Sequence, residues 1–247
     1  SLARWQGISL ATTQPAMHAW RTAVGVVSLS AWFYAIANLP LATAMTLNYM
    51  SSVWVAAFLV GGALLYGKGE NNGALLATVL AGFAGVVMVL RPAFDQNQLW
   101  AGLVGLISGM TAALAYLQVT ALARAGEPEA RTVFYFALGC ALVGLIAMPF
   151  AGVSAWSWPA VLWIVPIGVL ASLGQLCMTR AYSRGPTLVA ANLQYSGIVF
   201  GALFGVLLFG DRLPLMAWAG MVVVIASGIA ATVLKSRAVQ NTPAEEH

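Results

Sequence analysis

Charge is scarce in this 247-residue chain: only 7% of its residues are Asp, Glu, Lys or Arg, against about one quarter in an ordinary soluble domain. So little charge cannot cover a water-exposed surface. With 61% hydrophobic residues, the composition is that of a membrane protein. Acidic groups are absent from every long apolar run: Glu70, Asp95, Glu127, Glu129 and Asp211 fall at run ends or between runs, and Glu245 and Glu246 fall in the tail. An intramembrane carboxylate that could coordinate or relay a cation is therefore missing from these runs. Histidine adds nothing at depth, since His18 precedes the first run and His247 is terminal. Two cysteines, Cys140 and Cys177, both inside apolar runs, exclude a disulfide framework and a metal cluster and read as packing residues. No HExxH, no paired aspartates and no serine with a histidine at depth are present, which argues against an intramembrane enzyme and leaves no cofactor to expect. The opening SLARWQGISLATTQPAMHAW lacks both an apolar signal-peptide core and an initiator Met, so the chain is expected to begin part-way into a longer protein.

What the chain does have is apolar runs near 20 residues, the length that spans about 30 Å of hydrocarbon. They occur at 22–38, 41–66, 73–90, 99–121, 132–150, 159–180, 187–209 and 214–234. The expected fold is an all-α polytopic membrane bundle with eight visible transmembrane helices, joined by connections too short for a soluble domain. The second run is long enough to tilt or break within the bilayer. Pro40, Pro159, Pro186 and Pro214 stand at or near helix starts, where a missing N–H costs least, whereas Pro166 lies inside a run and predicts a kink. Gly105 with Gly109, and Gly197, Gly201 and Gly205, recur at four-residue spacing and predict close helix contact.

Eight spans place both termini on one side. That side then carries Arg4, Arg21, Lys68, Arg124, Arg131, Arg180, Arg184, Lys235 and Arg237, and the other only Arg91 and Arg212. The positive-inside rule assigns the termini to the cytoplasm. This asymmetry accounts for the net charge of +4, and no basic run or face points to nucleic acid. Trp20, Trp100, Trp156, Trp158 and Trp218 fall near run ends as an interfacial belt would, while Trp32 and Trp54 lie at depth, where an indole N–H needs a partner.

The stretch from Pro40 to Phe58, PLATAMTLNYMSSVWVAAF, recurs as PTLVAANLQYSGIVFGALF from Pro186 to Phe204 at a constant offset of 146. Pro40, Ala44, Leu47, Tyr49, Val53, Ala56 and Phe58 meet identical residues, and Asn48 meets Gln194. A two-residue deletion extends the match to Leu90 with Leu234, so 22–90 corresponds to 159–234. Counting spans makes the two sets run in opposite directions. Inverted repeats are characteristic of secondary transporters, because two opposed halves of nearly equal energy give inward-open and outward-open states of similar stability. The expected organisation is a first repeat at 1–98 with three helices visible, a second at 99–235 with five, and a cytoplasmic tail at 236–247. A complete duplication would have ten helices, two of them preceding residue 1.

HAWRTAVG at the first span, FYAIANLPLATAMTLNY, LGQLCMTRAYSRGPTLVAANLQYSGIVFGALFGVLLFGDRL and the final VLKSR together resemble the drug/metabolite transporter superfamily, specifically its EamA-type members. The resemblance covers nearly the whole chain through loose patterns held in order over two repeats. It implies a ten-helix carrier of the plasma membrane, in bacteria the inner membrane, that exports or imports a small metabolite such as an amino acid, nucleobase-related compound or amine. It also implies a central cavity lined by the third, fourth, sixth, eighth and ninth helices of the full protein. The implied partners are the small-molecule substrate and the lipid bilayer, with the oligomeric state open and a monomer one option. The family's proline within the helix after the first matched proline is absent here, where Ser51 and Ser52, and Ser196 and Gly197, stand instead.

The candidate cavity residues are Trp32, Asn48, Tyr49, Ser52, Tyr116, Gln175, Gln194 and Tyr195, with Gln118 weaker because it nears the cytoplasmic interface. At 100° per residue, Asn48 shares a face with Ser51 and Ser52, and Tyr49 shares one with Thr46 and Met50. One face is expected to line the cavity and the other to bond a neighbouring helix, the choice being open. For each of these residues the competing role is interhelical hydrogen bonding. Arg21, Arg180 and Arg184 mark a cytoplasmic rim, as topology determinants or as an anion-gathering vestibule. The competing classes are an intramembrane enzyme and a non-transporting membrane scaffold, and the latter leaves the repeated Asn/Gln and Tyr pairs unexplained.

Overall fold

The computed structural model describes residues 9–66, 73–91, 98–151, 158–210 and 212–240. Arg4, Lys68, Glu70, Asp95, Trp156, Asp211, Glu245, Glu246 and His247 lie outside the described residues. The described residues form helices and no strands: α1 (Pro15–Asn38), α2 (Leu41–Tyr49), α3 (Ser51–Tyr66), α4 (Gly73–Leu90), α5 (Leu99–Arg124), α6 (Glu129–Ala151), α7 (Trp158–Arg184), α8 (Thr187–Leu193), α9 (Ser196–Phe209) and α10 (Leu215–Gln240).

Seven stretches are long and apolar enough to cross a bilayer: Leu41–Gly62, Gly73–Leu90, Leu99–Arg124, Glu129–Pro149, Ile164–Arg184, Thr187–Leu207 and Leu215–Leu234. The chain is an all-helical polytopic membrane protein. Helix α1 is long enough but is not among the seven; His18, Arg21, Thr22, Ser28 and Asn38 dilute its apolar character. It also begins seven residues earlier than its apolar run. Gln14 N–H is held by Thr12 Oγ1 (2.9 Å) just before Pro15, whose fixed φ and missing N–H suit the first helical position. Pro166 lies inside α7, which continues through it. On α6 and α7, Leu145, Ile146, Leu162, Ile164, Val165 and Leu170 are all exposed. Such a surface is suited to hydrocarbon.

Contacts divide the chain into two compact units, Ser1–Val27 with Leu114–Gly185, and Ser28–Ala113 with Pro186–His247. In the first, Val119 and Leu122 of α5, Phe136 of α6 and Tyr182 of α7 are buried. Helix α5 ends in a Schellman motif: Glu127 N–H bonds Leu122 O, Gly126 N–H bonds Ala123 O, and Gly126 takes φ +80°.

The second unit is built on apolar clusters. Ala56, Leu75, Val79, Leu188, Val189 and Ala231 form one, and Val86, Tyr195, Ile198, Val199, Met221 and Val224 another. Helices α4 and α10 pack backbone to backbone at two glycines: a Cβ on Gly85 would lie 2.8 Å from Gly220 O, and one on Gly220 would lie 2.7 Å from Gly85 O. Gly105 and Gly109 do make the close contact their spacing predicts, since a Cβ on Gly109 would lie 2.5 Å from Leu47 O. The other glycine run does not act as one packing face. Gly197 lies against the Tyr49 hydroxyl, but Gly201 meets nothing within 4 Å. Of the two cysteines, Cys140 is half-buried, while Cys177 is exposed and so does not pack in a core.

Candidate functional site

The second run breaks, as its length allowed, and so does its copy. Pro40 (ψ 134°) and Pro186 (ψ 124°) hold extended backbone, then α2 and α8 begin, and the helices are interrupted at Met50 and at Gln194–Tyr195. No proline is involved. Around the second interruption the hydrogen bonds tighten to three-residue spacing: Tyr195 N–H to Asn192 O, Gly197 N–H to Gln194 O and Ile198 N–H to Tyr195 O. Gln194 (ψ −29°) and Tyr195 (ψ −19°) have the dihedrals of a 3₁₀ turn. The first interruption is milder, with Met50 N–H still on Thr46 O and Trp54 N–H on Met50 O.

Such an interruption leaves backbone groups to satisfy at a depth where water is scarce. Tyr195 N–H turns to Asn192 O, and the Ala191 carbonyl, its partner in a continued α-helix, instead accepts the Ser52 hydroxyl at 2.6 Å. Ser52 is fully buried and comes from the first copy, so one interruption is satisfied by a side chain of the other. Tyr49 and Tyr195 meet with ring centroids 6.2 Å apart. The Tyr195 hydroxyl is buried without a hydrogen bond, its neighbour Ser52 being directed to Ala191. The tyrosines thus pack the two copies together.

Asn48 belongs to a different contact. Its Nδ2 donates to Ser108 Oγ (3.1 Å), and Ser108 O accepts the Ser28 hydroxyl (2.9 Å), which ties α2, α5 and α1 together. Asn48 is half-buried, as is Gln194 at the matched position. Trp32 and Trp54 have buried indole N–H groups without hydrogen bonds; Trp32 lies by Phe33 (5.6 Å) and Trp54 stacks on Phe58 (6.0 Å). Within α8, Asn192 is 1% exposed: its Oδ1 accepts the Ser227 hydroxyl (3.2 Å) and its Nδ2 is unbonded. It borders a cavity of about 540 Å³, otherwise lined mainly by Val199, Phe200, Val224 and Ile229. The second unit therefore gathers Trp32, Asn48, Tyr49, Ser52, Gln194 and Tyr195, and its polar groups split into an Asn48 junction and a tyrosine contact.

Tyr116 and Gln175 belong to the first unit. Tyr116 stacks on Tyr182 (4.9 Å, 21°), whose carbonyl accepts the Thr120 hydroxyl (3.0 Å). Gln175 Oε1 is buried and unbonded, and Gln118 is half-buried. The three arginines do not form one rim: Arg180 and Arg184 are exposed, whereas Arg21 is 3% exposed under the side chain of Phe136. Arg184 pairs with Glu129, and with Arg180, Ser183 and Glu127 these residues line a polar cavity of about 420 Å³.

Residue spacing gave no sign of the strongest electrostatic cluster. The Gly126 turn presents Glu127 to Thr12 Oγ1 (2.6 Å), His18 Nε2 (3.1 Å) and Arg131 Nη1 (2.8 Å), while His18 lies on the Tyr135 ring at 4.6 Å. Facing a carboxylate, His18 Nε2 carries the proton and donates. Burial raises the Glu127 pKa, but the hydrogen bonds from Thr12, His18 and Arg131 and the Arg131 charge outweigh it and bring the group down to about 2. His18 and Glu127 are 109 residues apart, and only the shortage of acids at depth marked Glu127 at all. Ser28, Ser108 and Asn192 were also missed; only Asn192 carried a signal, as the polar match of Thr46 in the copied stretch. Among the described residues, no three His, Cys, Asp or Glu side chains converge as a metal site would require.

Residues 99–233 match the EamA-like transporter family. A Pseudomonas aeruginosa protein named pseudopaline exporter CntI is 33% identical over 233 residues, covering 93% of this chain and 79% of its own length. A Helicobacter pylori protein named as an uncharacterized transporter is 31% identical over 217 residues, covering 85% and 71%. A riboflavin transporter of Rhizobium johnstonii is 25% identical over 222 residues, covering 90% and 71%. One solved crystal structure has the same fold, with a TM-score of 0.79 at 19% identity over 94% of this chain and 82% of the other.

Proposed function

Because the chain belongs to the EamA-like transporter family, and is thus a membrane transporter and not an enzyme, we propose that it is a secondary carrier of a small organic metabolite, working by alternating access in a bacterial inner membrane with both termini in the cytoplasm. The observation that carries this reading is the pair of interrupted helices. Interruptions at Met50 and at Gln194–Tyr195 fall within two residues of one another in the register of two copied segments, each with amide and phenol groups beside it. Discontinuous helices of inverted repeats are where carriers place their substrate sites, because unwound backbone and its polar neighbours supply hydrogen bonds at mid-membrane.

In this reading, 1–98 and 99–235 are the two repeats, and they cross the membrane in opposite directions. The half-buried Asn48 and Gln194 face the substrate, and the tyrosine pair is the pivot between copies. Ser52 holds the second interruption open by occupying the freed Ala191 carbonyl. The relatives named for pseudopaline and riboflavin support a small organic cargo.

The reading is tested by profiling metabolites in cells and medium with the full-length protein expressed or deleted. At least one small metabolite should shift between the compartments, and Gln194→Ala should reduce that shift more than Tyr195→Phe. An unchanged profile would contradict carriage.

A further inference from the structure

The first unit buries a positive charge that no described residue neutralises. Arg21 is 3% exposed, its guanidinium lies 3.9 Å from the centre of the Phe136 ring, and its Nε and Nη1 donate no hydrogen bond. It enters none of the ion pairs among the described residues, and the described carboxylates of this unit are already committed: Glu127 to His18 and Arg131, Glu129 to Arg184. A ring face offsets part of the cost of desolvating a guanidinium, but a buried ion stays unfavourable until its donors are bonded. The packing nonetheless accommodates this group. Gly25, one turn further along α1, lets Nη1 lie against the helix where any Cβ would collide with it.

The surroundings are suited to a polar ligand. Tyr116 of α5 and Cys140 of α6 are within electrostatic reach of Arg21. Tyr116 stacks on Tyr182 of α7, and Gln175 and Thr179 precede Tyr182 on the same α7 face at successive spacings of four and three. Thr179 Oγ1 and Gln175 Oε1 are both buried and unbonded. One cation, two phenol rings and two buried polar atoms on three helices are more than α1 and α6 need to pack.

Resting on the carrier reading, we infer that the transported metabolite bears an oxyanion, a carboxylate or phosphate, and that Arg21 receives it with Tyr116, Thr179 and Gln175 alongside. A planar guanidinium can donate paired hydrogen bonds to either group, a geometry that a lysine cannot reproduce. An amine substrate would meet a like charge here.

The test compares cells expressing the full-length wild type, Arg21→Lys, Arg21→Met or no transporter, by metabolite profiling together with melting of each purified protein. The metabolites moved by the wild type should carry a carboxylate or phosphate, and the profile identifies which. Their flux should fall about 10- to 100-fold in Arg21→Met, the loss of a charged hydrogen-bond pair, and less in Arg21→Lys. Arg21→Met should melt no lower than the wild type, because removing an unpaired buried ion relieves a cost. Moved metabolites that are neutral or cationic, wild-type flux in Arg21→Met, or a lowered melting temperature that makes Arg21 a packing element would each overturn the inference while leaving the carrier reading standing. No flux in the wild type would instead overturn both.

Discussion

In the first unit the contacts around the α5–α6 connection are ionic: Glu127 binds Thr12, His18 and Arg131, and Glu129 binds Arg184. In the second unit, among the described residues, they are neutral: Ser52 to Ala191 O, Asn48 to Ser108, Ser28 to Ser108 O and Ser227 to Asn192. The difference follows depth. Glu127 stands in the α5–α6 connection and Glu129 at the first residue of α6, at the very end of an apolar stretch, where an ion is cheap to maintain. The interrupted helices lie inside such stretches, where a freed carbonyl needs a donor but a charge would cost more than the bond returns.

The contrast is sharpened most by Glu127→Ala. It strands His18, Arg131 and Thr12 beside a buried gap and should cost about 3 kcal/mol or more at neutral pH. Because the Glu127 pKa is lowered to about 2, its contribution is full above the unfolded-state value of about 4.3 and fades as pH falls towards 2. The difference in melting temperature between wild type and variant should therefore be constant from pH 8 to 5 and narrow in acid. A gap that widened in acid would remove the electrostatic account.

Ser52→Ala comes next. It leaves the Ala191 carbonyl without its donor, at about 1–3 kcal/mol, and this loss should be the same at pH 5 and pH 8. Melting of the purified protein at both values checks it, and a pH-dependent loss would erase the contrast between units. Gly197→Ala should have the smallest effect, below about 1 kcal/mol, since only the end of the Tyr49 side chain must yield. Tyr49→Phe should remove even that cost, so the two changes should combine non-additively in a double-mutant cycle.

Apolar run length located the helices and warned that 41–66 was too long to be one straight span, because hydrocarbon thickness constrains length directly. It could not locate the break, which depends on local hydrogen bonding around Met50 and Tyr195 and not on composition. Asn48 and Tyr49 were legible as candidates through the repeat and Ser52 through the face it shares with Asn48, and the different neighbours of Asn48 and Tyr49 follow from the 100° between adjacent positions. Ser108, Ser28 and the His18–Glu127 pair were not, since single polar residues gain meaning only from partners 80 or 109 residues away. Arg21 read as a surface arginine because sequence position near a run end looks the same for a buried and an exposed side chain.

The opposed directions of the two copies can be tested most directly by thiol labelling of intact cells. Cys140 and Cys177 would be replaced by serine, and single cysteines placed by Asn38→Cys at the end of α1 and Arg184→Cys at the end of α7. A membrane-impermeant reagent should label position 38 from outside and reach position 184 only after the membrane is opened. Labelling of both positions from the same side would contradict inverted repeats and, with them, the alternating-access carrier.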